Sequence, residues 1–216
     1  MILKKEIFLR ETVPSEIQNF LRKTLDAFGA ELNHLGNTIY QYPNGMKGID
    51  EQESINDVFA LIERSYFGIF NNAVIRTFPK DAVLQEFSVY GKQHKHVGRA
   101  DYLVSHYLNK SKSVNLLFEG KATLATWKDD KKVTKKYLNN IYEKALIYYD
   151  AEKDYYTNET YLIVIVFEWI RKTDLLEAIL NETYVDDDAT DYYFIYHTKV
   201  AGLMVYGTVT PTSLIN

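Results

Sequence analysis

Two apolar runs separated by a polar turn make up residues 98–121, GRADYLVSHYLNKSKSVNLLFEGK. Runs of this length on either side of a short turn of Asn, Lys and Ser are typical of an antiparallel β-hairpin. Side chains alternate between the two faces of a strand, so Glu119 and Lys121 share one face and Gly120 lies on the other. Asp101 lies 18 positions before Glu119, and the hairpin is therefore predicted to bring the two carboxylates together.

Two adjacent carboxylates and an amine are suited to metal-assisted cleavage of a phosphodiester bond. Carboxylate oxygens bind hard divalent cations such as Mg²⁺, which keep several of their waters. The cation polarises the phosphoryl oxygen and lowers the pKa of the attacking water, and a nearby ammonium group can orient that water. The pattern predicts Asp101 and Glu119 as ligands of Mg²⁺ or Mn²⁺, and Lys121 as the residue that positions the nucleophile.

These residues resemble the motif of the PD-(D/E)xK nuclease superfamily, an aspartate on one strand followed by Glu-x-Lys on the next. Asp101 matches the aspartate and residues 119–121 match the tripeptide, while Ala100 stands where proline often precedes the aspartate. The superfamily core runs helix, three strands, helix, strand, and the order predicted along residues 53–168 is similar. The resemblance implies a restriction-endonuclease-like fold and a metal-dependent nuclease that acts on DNA. Many enzymes of this superfamily work as dimers, so it also implies a homodimer.

The pattern of apolar residues predicts an α/β fold, with a central mixed sheet flanked by helices. Helical periodicity extends over residues 54–71 and 130–150, and an alternating strand pattern covers residues 82–90. Residues 161–169 are predicted to form a strand, and their continuous apolar run at 161–167 is typical of a strand covered on both faces. Together with the hairpin, these elements form the predicted core.

The rest of the chain is predicted to flank this core within a single domain, residues 1–216. Residues 1–50 form an N-terminal helical extension, in which a helix starts at Ser15 and ends near Gly36. Residues 169–216 form a C-terminal segment. Its predicted elements are a helix at 171–181 and two strands at 192–198 and 203–208.

Glu63 is a further acidic residue of the predicted site. It lies on the first core helix, at an edge formed by Phe59, Tyr66 and Phe70, where an unpaired carboxylate is costly. Many members of the superfamily carry an extra acid at this place, so the resemblance implies an auxiliary acid that ligates the metal or orients its water. A boundary glutamate that reaches solvent or pairs with a lysine is the alternative, and both interpretations stay open.

The net charge of −4 is unevenly distributed along the chain. Residues 91–149 contain twelve Lys and Arg against five Asp and Glu, a net charge of +7, whereas the segments on either side are acidic. A phosphate backbone is predicted to lie here, because each basic side chain that reaches a phosphate releases a counterion. The candidate contacts are Arg99, Lys128, Lys131, Lys132 and Lys135. The alternative for the four lysines is that they lie in solvent at the start of a helix, and the alternative for Arg99 is an ion pair with a carboxylate.

Length and composition are those of a globular protein, with 216 residues of which 46% are hydrophobic. The chain contains no cysteine, which excludes a disulfide framework, a cysteine nucleophile and a thiolate zinc site. The N-terminus becomes charged before any apolar segment of signal-peptide length, and the longest apolar run, residues 161–167, has the length of a strand. These features predict a cytoplasmic protein with no membrane partner.

Two other functions stay open. The first is a catalytically inactive binding or interaction module on the same fold, in which the three site residues survive as hydrogen-bonded groups; the acidic net charge favours it slightly. The second is an unrelated α/β enzyme, but the sequence has no glycine-rich phosphate loop, serine elbow or zinc pattern to support it.

Overall fold

The structure of the chain, a computed structural model, describes residues 4–40, 63–91, 95–125, 135–170, 190–197 and 202–215. These residues form an α+β fold in which one mixed sheet has helices on both faces. The predicted class, a central mixed sheet flanked by helices, is confirmed. Strands from both ends of the chain join this one sheet.

The strands of the described residues are β1 (Lys4–Leu9), β2 (Ala82–Tyr90), β3 (His96–Tyr107), β4 (Ser113–Ala125), β5 (Thr160–Ile170), β6 (Tyr192–His197) and β7 (Gly202–Pro211). They lie in the order β1-β6-β7-β5-β4-β3-β2. β4 and β5 pair in parallel, and the other neighbouring strands pair antiparallel. The predicted hairpin of β3 and β4 and the two predicted C-terminal strands are therefore present.

Three α-helices are described: α1 (Ser15–Tyr40), α2 (Glu63–Thr77) and α3 (Lys135–Glu152). Short 3-10 helices follow at Lys153–Tyr155 and Thr212–Leu214. α1 and α2 share the main hydrophobic cluster with the sheet, and rings of both helices contact Phe118 of β4. α1 therefore contributes to the hydrophobic core of the described residues.

β5 lies at the centre of the sheet and is buried on both faces. Ile163 and Ile165 face α1 and α2, whereas Val164 and Val166 face α3. A parallel pair of strands needs a crossover connection, and α3 supplies it between β4 and β5. The burial on both faces explains the continuous apolar run of residues 161–167 in this strand, as predicted.

β1 is a strand that the sequence analysis misses. It pairs antiparallel with β6 at the edge of the sheet. Ile7 and Leu9 pack against the main cluster, and Phe8 stacks on Tyr193 with ring centroids 5.0 Å apart. Six residues, three of them charged, give little periodicity, and the pairing partner lies at the other end of the chain. Residues 1–50 are therefore not helical throughout.

Two helices run further than predicted. α1 continues past Gly36 to Tyr40, and α2 continues past Asn71 to Thr77. A glycine inside a helix costs about 1 kcal/mol relative to alanine, which the remainder of a long helix outweighs. The longer α2 has a packing reason, because Ala73 and Val74 are fully buried in the main cluster.

The helix predicted at 171–181 lies outside the described residues, as do the first turns of the helices predicted from residues 54 and 130. α2 and α3 are therefore given from the residues at which their described parts begin. Among the helices that the structure describes, none combines the length and the apolar character needed to cross a bilayer.

Candidate active site

The two predicted carboxylates lie where the regular pairing of β3 with β4 stops. The last paired residues are Tyr102 and Phe118, and Asp101 and Glu119 come next on their strands. Tyr102 and Phe118 belong to the cluster on the side of α1 and α2. Alternation therefore turns Asp101 and Glu119 towards α3. The hairpin brings these two side chains, hereafter the carboxylate pair, together as the spacing predicts.

Asp101 is fixed by the backbone of the opposite strand. Its Oδ2 accepts a hydrogen bond from the backbone N–H of Gly120 at 2.8 Å. A hydrogen bond from an N–H to a charged carboxylate is among the stronger ones and orients the acceptor. Gly120 itself faces α2, where the ring of Phe67 fills the space that a side chain would need. The carboxylate pair is thus held on one face of the sheet and supported from the other.

Glu119 is almost completely buried, with 1% of its side chain exposed. Its Oε1 accepts a hydrogen bond from the ammonium group of Lys144, which lies on α3. Its Oε2 is also buried, and no donor among the described residues reaches it. A buried carboxylate oxygen without a hydrogen bond is costly, so this atom is one that a cation or a water would satisfy.

The surroundings of Glu119 shift its pKa in opposite directions. Burial and the charge of Asp101 raise the pKa of Glu119 from 4.5 to about 7, while the hydrogen bond and charge of Lys144 and the charge of Lys121 lower it. For Lys144, burial lowers the pKa, but the hydrogen bond and charge of Glu119 outweigh burial and raise it. Lys144 therefore keeps its charge at neutral pH, and Glu119 is the group that titrates there.

The stability of the protein is expected to fall as the pH rises through this range. A carboxyl group whose pKa is raised on folding binds its proton more tightly in the folded chain, so ionising it between about pH 4.5 and about pH 7 costs stability. A shift from 4.5 to about 7 corresponds to at most about 3 to 4 kcal/mol, at about 1.4 kcal/mol for each pKa unit. Urea unfolding at about pH 5 and about pH 8 is expected to show this loss in the wild-type protein. Glu119→Gln should lack it, and equal pH slopes for the two proteins would contradict the assignment.

Lys121 lies two residues after Glu119 on the same face of β4, as alternation predicts. Its side chain is exposed, and its charge is close enough to lower the pKa of Glu119. An exposed ammonium group beside a buried carboxylate faces the solvent, from which a water or a phosphate would arrive. This placement fits the predicted role of Lys121 in positioning a nucleophile.

Lys144 is the residue of the site that the sequence analysis misses. Its Nζ contacts Glu119 and lies 5.5 Å from the centre of the Tyr148 ring, a cation–π contact. Lys144 follows Ile141 by three residues and precedes Tyr148 by four, and both of these side chains are buried against the sheet. A lysine on the apolar stripe of a helix was the available signal, because such a position brings it beside buried groups.

Arg99 does not share a face with Asp101, although a spacing of two residues predicts it. Its Nη2 donates to the carbonyl oxygen of Glu86 at 3.3 Å and lies 3.8 Å from the Oε2 of the same residue. A Cβ on the preceding residue, Gly98, would lie 2.7 Å from the Tyr148 ring of α3, so Arg99 points away from α3. Alternation breaks here, opposite Glu86 of β2, which has a left-handed φ of 47°. The ion pair, the alternative interpretation, is the observed one.

Glu168 of β5 is a second buried acid on the α3 side of the sheet, with 5% of its surface exposed. It pairs with Thr123 in register, whereas Glu119 pairs with Val164, four residues earlier on β5. Four residues of strand span about 13 Å, at about 3.3 Å each. Glu168 is therefore too distant to share one metal ion with Glu119.

Several predicted site residues lie outside the part of the chain in which side chains are described. Glu63 is the first residue of the described part of α2, and Lys135 is the first of α3, but their side chains are not among those described. The other three predicted phosphate contacts lie wholly outside the described residues. They are Lys128, Lys131 and Lys132.

The carboxylate pair would supply the protein ligands of a metal ion. The described residues contain no group of three or more His, Cys, Asp or Glu side chains placed to hold a metal. Mg²⁺ is nevertheless often bound through one or two carboxylates, with waters and substrate phosphate oxygens completing its shell. The buried Oε2 of Glu119, which lacks a donor among the described residues, and the neighbouring carboxylate of Asp101 fit such a cation. The donor set is all oxygen, as Mg²⁺ and Mn²⁺ prefer.

No family model, no curated protein and no solved structure matches this chain. A function can therefore be inferred from the chemistry of the side chains that the fold brings together. These are two carboxylates with a buried acceptor, and two ammonium groups on the same side of the sheet, Lys121 and Lys144.

Proposed function

We propose that the chain is a metal-dependent nuclease of the PD-(D/E)xK type, which hydrolyses phosphodiester bonds in DNA with Mg²⁺ or Mn²⁺. The order of the described elements supports a restriction-endonuclease-like fold, because α2, β2, β3, β4, α3 and β5 follow one another as helix, three strands, helix and strand. The antiparallel pairing of β3 with β4 and the parallel pairing of β4 with β5 support it further.

One observation carries the proposal: the buried Oε2 of Glu119, beside the carboxylate of Asp101, has no donor among the described residues. Two neighbouring carboxylates repel each other, and burying one of them makes the repulsion more costly. Such an arrangement is a poor way to stabilise a fold and a good way to bind a divalent cation. Perturbed, buried carboxyl groups of this kind are typical of functional sites.

Each residue of the site has its own role in the proposed hydrolysis of a phosphodiester bond. A bound Mg²⁺ or Mn²⁺ would polarise the phosphoryl oxygen and acidify the attacking water. Asp101 and Glu119 would hold the cation, with Asp101 oriented by the N–H of Gly120. Lys121, exposed on the same face, orients the water or helps to deprotonate it. Glu63 on α2 acts as the auxiliary acid.

The basic segment around the motif is the proposed DNA contact. Residues 91–149 carry a net charge of +7, which favours a phosphate backbone on this part of an otherwise acidic chain. The lysines before and at the start of α3 contact phosphates in this proposal, whereas Arg99 is held in its ion pair with Glu86 and points away from α3. A homodimer would place two such sites on the two strands of a duplex. The binding of DNA should then weaken steeply with salt.

A binding module without catalysis is the second candidate, and the ion pair of Lys144 with Glu119 favours it. This pair gives one oxygen of Glu119 a positively charged partner within the chain itself. A site that has lost its metal would be expected to replace the cation in this way. The protein would then be equally stable with and without a chelator, and it would have no measurable affinity for Mg²⁺.

Incubation with DNA tests the proposal. Purified wild-type protein and the Asp101→Ala/Glu119→Ala variant are incubated with labelled plasmid and single-stranded DNA, in Mg²⁺, Mn²⁺ or EDTA. We expect cleavage by the wild-type protein that needs the metal, and a rate at least about 1,000-fold lower in the variant, because both ligands of the cation are removed. The relative rates on the two substrates give the strand preference.

A matched variant separates loss of the site from loss of charge. Asp150→Ala/Asp154→Ala removes two exposed carboxylates near the end of α3 and should cleave at the wild-type rate. If the wild-type protein cleaves none of the substrates while its secondary structure is intact by circular dichroism, the result would favour the binding module. Cleavage that survives in the Asp101→Ala/Glu119→Ala variant would place the chemistry elsewhere.

A further inference from the structure

We propose that Lys144 is an internal counter-ion that occupies the place of the divalent cation at Glu119 and competes with it. This inference rests on the proposed function, since it concerns the same carboxylate pair. It assigns to α3 a residue that sets how tightly the metal binds, in addition to the ligands on β3 and β4. It also gives the buried carboxylate of Glu119 a positively charged partner within the chain.

The two members of the ion pair differ in their freedom to move. The side chain of Glu119 is 1% exposed and lies on the central part of the sheet, whereas that of Lys144 is 43% exposed. The backbone of Lys144 is anchored, because the next residue, Ala145, is fully buried against the sheet. Its ammonium group, in contrast, sits on a flexible stem that reaches solvent. Glu119 stays in place, and Lys144 is the partner that can withdraw.

While Lys144 is in place, one oxygen of each of the two carboxylates already accepts a hydrogen bond. Oε1 of Glu119 accepts from Lys144, and Oδ2 of Asp101 accepts from the N–H of Gly120. A cation bound between the two carboxylates would lie beside the ammonium group, and two like charges at such a distance repel each other. Withdrawal of Lys144 relieves this repulsion and frees Oε1. While it pairs with Glu119, the ammonium group also lies 5.5 Å from the centre of the Tyr148 ring.

Competition predicts that removing the charge of Lys144 tightens metal binding. Lys144→Met keeps the unbranched stem and loses the ammonium group. Calorimetric titration of the full chain with Mn²⁺ is expected to give a Kd at least about tenfold lower for Lys144→Met than for the wild type. In EDTA the variant should melt at a lower temperature, because Glu119 has lost its partner, and Mn²⁺ should raise that temperature by more than in the wild type.

Three further variants make the measurement specific. Lys144→Gln also lacks the charge but can still donate a hydrogen bond to Glu119, so it tests the same point if Lys144→Met does not fold in EDTA. Lys153→Met removes an exposed lysine that pairs with Asp150, and it should bind Mn²⁺ as the wild type does. Glu119→Gln/Lys144→Met removes a proposed ligand as well and should not bind Mn²⁺.

The outcomes separate this inference from the proposed function. Mn²⁺ binding that depends on Glu119 and is tighter in Lys144→Met or Lys144→Gln than in the wild type supports both the competition and the metal site of the proposed function. Binding of Mn²⁺ by these variants alone would support both as well. Wild-type binding that is unchanged or weaker in both variants overturns the competition and leaves the nuclease proposal standing. No binding by the wild type or by either variant overturns the metal site itself, and the competition with it.

Discussion

Lys121→Met is expected to lower the kcat of metal-dependent DNA cleavage by at least about 100-fold, the usual loss when a group that orients or deprotonates the attacking water is removed. The side chain is exposed beside a buried carboxylate, and methionine keeps its unbranched stem. Asp101 and Glu119 are both retained, so Mn²⁺ affinity should change by less than about threefold. Single-turnover cleavage and calorimetric titration of the same preparation measure the two effects.

Lys112→Met is the control for this substitution, because it removes an exposed lysine from the turn between β3 and β4. It should cleave at the wild-type rate. A Lys121→Met protein that cleaves normally would show that the assigned role is wrong, and Lys144, the other ammonium group beside Glu119, would be the next candidate. A Lys121→Met protein that loses Mn²⁺ affinity would show that Lys121 acts on the metal site and not on the water.

The sequence could predict the carboxylate pair because its geometry is local. Strand alternation and a short turn are enough to place Asp101 beside Glu119 and to put Lys121 on the same face. Lys144 could not be placed in this way, because its contact with Glu119 depends on how α3 crosses the sheet. Arg99 was placed wrongly, because alternation breaks between it and Asp101, opposite Glu86 of β2, and a spacing of two residues does not reveal such a break.

The same distinction applies to the fold. The hairpin and the central strand have sequence patterns of their own, an alternation of faces in one case and a continuous apolar run in the other. β1 has no such pattern, and it becomes a strand only because β6 offers it an edge to pair with. The ends of α1 and α2 were underestimated because asparagine and glycine are read locally as stops. In α2, the buried Ala73 and Val74 lie beyond the predicted end.

Gly207→Ala is expected to prevent folding, with a loss of more than about 4 kcal/mol, the range reached by severe core substitutions. Gly207 of β7 lies between Ile165 of β5 and Tyr192 of β6. An added Cβ would lie 1.7 Å from the carbonyl oxygen of Val164, which accepts a hydrogen bond from the hydroxyl of Tyr192 at 2.7 Å. The obstacle is backbone, so the ladder of β5 and β7 would have to separate. Circular dichroism and urea unfolding measure the loss.

Gly68→Ala is the matched control, because the same atom is added where nothing lies within 4 Å. Gly68 lies inside α2, where alanine is favoured over glycine by about 1 kcal/mol, so this variant should be as stable as the wild type or slightly more stable. Opposite signs for the two substitutions would tie the effect to the space available and not to glycine in general. A Gly207→Ala protein with wild-type stability would contradict the close approach of β7 to β5, and with it the placement of Tyr192 across the sheet.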